Sequence, residues 1–176
     1  MRELEELFAG HGCLDFQWID PRQIVVAQWV RLKCQFGCQE YGRNASCPPN
    51  VPAVAECGRF FGEYGKAAVF HFQKAVKRPE DRHAWTRQLN RALLELERAV
   101  FLAGYQRAFM LFMDSCGLCK QCAGTRAECK DPRSARPTAE AMAVDVFSTV
   151  RQVGHPIEVL PDCRQAMNRY AFLMIE

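Results

Sequence analysis

Residues 79–113 read PEDRHAWTRQLNRALLELERAVFLAGYQRAFMLFM. Trp85, Leu89, Leu93, Leu96 and Val100 recur at steps of three and four, with Arg87, Arg91, Glu95 and Glu97 elsewhere around the wheel. That spacing predicts one long helix from Pro79 to Ala103 with a single apolar stripe to bury. Gly104 is a natural terminator, and the next segment, Arg107 to Met113, is apolar enough to read as a buried strand. A helix with a face to bury, leading into a strand that must itself be covered, predicts helices packed on a sheet.

The flanking segments extend this pattern. Ala67 to Phe72 and Tyr170 to Ile175 read as strands, and Ile24 to Leu32 as another, because Ile24, Val25, Val26, Trp29 and Val30 are β-branched or aromatic. Arg2 to Ala9 and Val51 to Tyr64 read as helices. Thr138, behind Pro137, is expected to cap a further helix running to about Gln152, with Gly154 after its end. The expected fold is therefore α/β: a mixed sheet of about four strands packed by helices, one domain over residues 1–176. Two cysteine-rich loops, within 33–52 and 114–137, are expected to leave the C-terminal ends of strands.

The 176 residues are 49% hydrophobic and 24% charged, close to the globular average and far from disordered or fibrous compositions. A net charge of +3 is too slight to recruit nucleic acid or a membrane surface electrostatically. No run approaches the roughly 20 apolar residues of a membrane span. The charged start, Met1-Arg-Glu-Leu-Glu-Glu-Leu7, lacks the apolar core of a signal peptide. Ten cysteines are then expected as thiols in the reducing cytoplasm, held for some purpose other than disulfides.

Seven of the ten fall in the two loops. The second reads Cys116-Gly-Leu-Cys119-Lys-Gln-Cys122-Ala-Gly-Thr-Arg-Ala-Glu-Cys129. Three thiolates at steps of three can wrap one face of a cubane, and the six-residue excursion through Gly124 returns a fourth to the remaining iron. The bacterial ferredoxin run of cysteines is a near relative of this spacing. Lys120, Arg126, Lys130, Arg133 and Arg136 are available to compensate an anionic cluster; a solvated basic loop is the plainer reading of each. Zinc held by four cysteines is the rival metal, although zinc sites usually bring two pairs from separate turns.

The first loop supplies Cys34, Cys38 and Cys47, followed by Pro48-Pro49. Three ligands leave a fourth to come from Cys57, Cys13, Cys163, a non-cysteine residue or a bound molecule. An open iron there could bind and polarise a substrate, whereas a closed one only passes electrons. Taken singly, Cys13, Cys57 and Cys163 read better as small buried hydrophobes. His11, His71, His83 and His155 are scattered without a metalloprotease pair, and His71, within a strand pattern, reads as an ordinary core histidine.

The two segments Cys34 to Pro49 and Cys116 to Cys129, continuing through Arg136-Pro-Thr-Ala-Glu-Ala-Met-Ala-Val-Asp-Val146, resemble the cysteine-rich "predicted metal-binding protein" family of bacteria and archaea. The resemblance spans most of the chain. It implies metal binding through Cys34, Cys38 and Cys47 and through Cys116, Cys119, Cys122 and Cys129, but no particular reaction.

These residues together predict an iron–sulfur redox protein: one 4Fe-4S cluster on the four-cysteine loop, a possible second on the three-cysteine loop, and electron transfer to a redox partner or a small-molecule substrate. Two alternatives stand beside it. One is an enzyme with an open iron at the three-cysteine loop, and the other a non-redox zinc module used for structure or interaction.

Overall fold

The computed structural model describes residues 2–162 and 164–176. In chain order the elements are α1 (Arg2–Gly10), β1 (Phe16–Ile19), α2 (Gln28–Gly37), α3 (Val54–Gly62), β2 (Ala67–Lys74), α4 (Arg82–Leu102), β3 (Phe109–Leu111), α5 (Val146–Gln152) and β4 (Met167–Met174). The strands form one sheet in the order β1-β2-β4-β3. About four strands packed by helices is the expected architecture. The sheet is narrower in type than "mixed", since all three ladders are antiparallel.

Side chains alternate across the sheet, and each face has its own core. On one face Ala68, Phe70, Met110, Ala171 and Leu173 meet Leu4 and Phe8 of α1 and Leu93, Leu96 and Val100 of α4. On the other, Val69, Leu111, Tyr170, Phe172 and Met174 meet Cys57 and Phe61 of α3 and Val146 and Val150 of α5. The apolar stripe of α4 thus does what its period requires. Fully burying each such Leu or Phe contributes roughly 1.5–3 kcal/mol.

Three expectations need correction. The stretch Ile24 to Leu32 is not a strand: only Val26 bridges the chain, to Val144, and α2 begins at Gln28. Its β-branched residues state only a weak preference, which α2 overrides by seating Val30 in the interior. The first cysteine loop consequently leaves a helix, while the second does follow β3. Thr138 does not cap a long helix either. Its Oγ1 accepts from the Ala141 N–H at 3.0 Å within a series of turns, and α5 is capped by Asp145, whose carboxylate accepts from the Ser148 N–H at 3.0 Å. The strand β1, whose Phe16 and Trp18 alternate onto the α1 face, was not expected.

The candidate metal centres

The polar side of α4 positions the second cysteine loop. Arg82 pairs with Asp114 at 3.3 Å, Arg87 donates to the Gly117 carbonyl at 2.7 Å, and Asn90 donates to the Cys116 carbonyl at 3.3 Å. At the loop's far end Arg136 grips Glu97 with two nitrogens, at 2.9 and 2.8 Å. Charges that a helical wheel assigns to solvent therefore tether both ends of the loop. Gly124, with φ +89°, turns the chain back toward Cys129 in a conformation that side chains disfavour.

The thiols of Cys116, Cys119, Cys122 and Cys129 line one small cavity, together with Lys130. Its roof belongs to the first loop: Asn44, Ala45 and Ser46 close it, and the Ala45 N–H donates to Cys122 Sγ at 3.3 Å. Asn50 fastens the roof, donating to the Gly124 carbonyl at 2.9 Å and accepting from the Arg126 N–H at 3.4 Å. Of the basic residues suggested by sequence, Lys130 faces the cavity, Arg136 is committed to Glu97, and Arg126 donates to the Pro132 carbonyl.

Cys34, Cys38 and Cys47 line a second cavity of about 190 Å³. Ser46 faces the first cavity and Cys47 the second; Ser115 faces the second and Cys116 the first. Two single peptide steps, each about 3.8 Å between Cα atoms, thus form the wall between the cysteine sets. Burial pushes the Cys47 thiol up to about 12, and the neighbouring Cys38, Glu40, Cys34 and Cys116 push it in the same direction. Cys34 and Cys116 are raised chiefly by burial as well. Binding a cation there must displace protons that these thiols hold tightly.

The three-cysteine cavity opens into a cleft of about 1000 Å³, and Cys34, Cys38, Met113, Glu140 and Arg169 line both. Trp29, Phe147, Ile157 and Leu160 make the cleft apolar, with Lys33 and Arg169 as its cations. Such a volume suits a small organic ligand. Desolvation raises the Glu140 carboxyl beside this junction.

Of the other cysteines, Cys13 and Cys57 line neither cavity. Cys57 is on the buried side of α3, in the core, and its Sγ lies 3.5 Å from the Pro52 carbonyl. Cys13 is buried between α1 and the sheet. Cys163 lies outside the described residues. Among the described residues, the grouping of three potential ligand atoms within 4.8 Å of one another is Asp15, His71 and His155.

The donor chemistry fits a thiophilic metal: four cysteines line one cavity, three line its neighbour, and a backbone N–H donates to one of the sulfurs. No helix of the described residues is long and apolar enough to cross a membrane. Neither the curated proteins nor the solved structures offer a match to this chain. The family model described as "Predicted metal-binding protein (DUF2284)" matches residues 17–175, a span that holds both cysteine loops. The chain belongs to this predicted metal-binding protein family.

Proposed function

We propose that this is a cytoplasmic iron–sulfur redox protein. In this reading Cys116, Cys119, Cys122 and Cys129 hold a 4Fe-4S cluster, and Cys34, Cys38 and Cys47 hold a second with one iron free of protein thiolate. When bound, such clusters supply one-electron transfer, at potentials set by charge, burial and hydrogen bonds to sulfur. The observation that carries the reading is the shared wall, in which Ser46–Cys47 and Ser115–Cys116 separate the two cysteine sets by single peptide steps. Neighbouring centres at that separation form a short path for electrons.

The Ala45 N–H on Cys122 Sγ and the cation of Lys130 are the local means of stabilising a reduced cluster.

A second reading draws on the cleft. The three-cysteine cavity opens into it, whereas the four-cysteine cavity lies under the roof of residues 44–46. This favours entry of electrons at the four-cysteine centre and reduction or polarisation of a small molecule at the other. The lining suits a small molecule with an apolar body, its polar ends met by Lys33 and Arg169 or by Glu140, Asp145 and Glu158.

The test is electron paramagnetic resonance of anaerobically prepared, dithionite-reduced protein. Two reduced clusters this close should give a spin-coupled spectrum. Cys119→Ser and Cys47→Ser should each reduce it to a single uncoupled signal. A diamagnetic reduced protein, or a spectrum that neither substitution changes, contradicts the proposal.

A further inference from the structure

On the α3–α5 face of the sheet, three residues distant in sequence come together away from the cysteine loops. His71, in β2, lies opposite Tyr170 in β4 and stacks on its ring, with centroids 5.1 Å apart and planes at 21°. His155 arrives from the end of α5. Gly154, at φ +79°, reverses the chain there, and the His155 N–H closes back on the Val150 carbonyl at 3.1 Å. The rings of His71 and His155 are then 5.4 Å apart. Asp15, just before β1, meets His71 Nδ1 with a carboxylate oxygen at 2.6 Å.

His155 is only 7% exposed, and its Nε2 is buried without a hydrogen-bond partner. An orphaned ring nitrogen in a core carries the full cost of its lost hydration, and a bound cation would remove that cost. The same burial depresses the His155 pKa, keeping the ring in the neutral form that ligates metal. Asn168 contributes an oxygen 2.8 Å from His71 Nε2. The Asp15 side chain is 61% exposed, so an ion has a route in from solvent.

We infer that Asp15, His71 and His155 form a binding site for a divalent first-row transition ion, separate from both cysteine sets. Two imidazole nitrogens and one carboxylate oxygen are the donor set of open zinc and non-haem iron sites, which retain positions for water or a ligand. Bonds of about 2.0–2.2 Å place ligand atoms roughly 3.4 Å apart, and the three atoms already lie within 4.8 Å of one another. The 2.6 Å contact of Asp15 with His71 Nδ1 is a hydrogen bond, shorter than that spacing, so the exposed Asp15 carboxylate swings off Nδ1 and the shared proton leaves as the ion enters. Asp15 also lies outside residues 17–175, so the site is not contained in the stretch that defines the family.

Cobalt(II) distinguishes this site from the cysteines, because absorption at the cobalt edge reports only the added metal. One equivalent added to anaerobic, metal-replete protein is expected to show a shell of nitrogen and oxygen without sulfur. Asp15→Asn, at the surface, and His155→Gln should each weaken cobalt binding in equilibrium dialysis by about tenfold or more, with iron and sulfide content unchanged. A sulfur shell in the unsubstituted protein overturns the inference whether or not the variants fold. So does dialysis in which folded Asp15→Asn and His155→Gln bind cobalt as tightly as the parent. Because the iron content is read on the same samples, failure here leaves the cysteine centres independently judged.

Discussion

The backbone N–H of Ala45 donates to Cys122 Sγ at 3.3 Å across 77 residues of chain. This contact makes the two cysteine loops one structure: the loop that carries the three-cysteine set also covers the four-cysteine set. Past α2, whose last turn holds Cys34, neither loop has helix or strand to hold it, and cross-loop hydrogen bonds and the tethers to α4 fix its shape.

Asn50 is the clearest point at which to break that structure. Its side chain bonds Asn44, Gly124 and Arg126, and replacing it strands a carbonyl and an N–H in a half-buried place. Asn50→Ala is expected to cost about 1–3 kcal/mol in denaturant unfolding. It should also speed loss of metal from the four-cysteine loop in the presence of a chelator. Stability within about 0.5 kcal/mol of the parent, with unchanged metal loss, would count against this role.

Arg136 and Glu97 form the tether whose loss should be felt most. Their side chains are 18% and 10% exposed, and Arg136 also lies over the Phe109 ring. Removing one partner of a pair this buried leaves the other charge uncompensated, at a cost of about 3–5 kcal/mol. Glu97→Ala should therefore lower the unfolding midpoint sharply. Adding Arg136→Met to it should restore part of the loss, and the double-mutant cycle measures the coupling.

Thiol alkylation of metal-free protein should divide the cysteines. Burial pushes the Cys13 thiol up to about 11 and raises that of Cys57, and both are in the core. Cys38 and Cys122 are exposed. Since the thiolate is the reacting form, peptide mapping after brief iodoacetamide treatment should find Cys38 and Cys122 modified and Cys13 and Cys57 intact. Early modification of Cys57 would contradict its placement on the buried side of α3.

The long helix, the strands β2, β3 and β4 and the two loops are legible in the sequence because each depends on local pattern: a 3.6-residue stripe, an apolar run, a cysteine spacing. Residues 24–32 mislead because their branched side chains state a weak preference that α2 overrides. Thr138 misleads because a hydroxyl serves a turn as readily as a helix. The roof of Asn44, Ala45 and Ser46, the Glu97 tether and the Asp15–His71–His155 grouping are invisible locally, since each joins residues that only the folded chain brings together. His71 does sit in a strand, as its neighbours imply. What its sequence could not convey is that Gly154 turns His155 back beneath it.

The most direct test of the central claim is iron, acid-labile sulfide and zinc per chain, with a visible spectrum, on protein purified without oxygen. The account predicts about eight irons with matching sulfide and a broad brown absorption, falling to about four irons in Cys119→Ser. Zinc without sulfide in a colourless protein would contradict it.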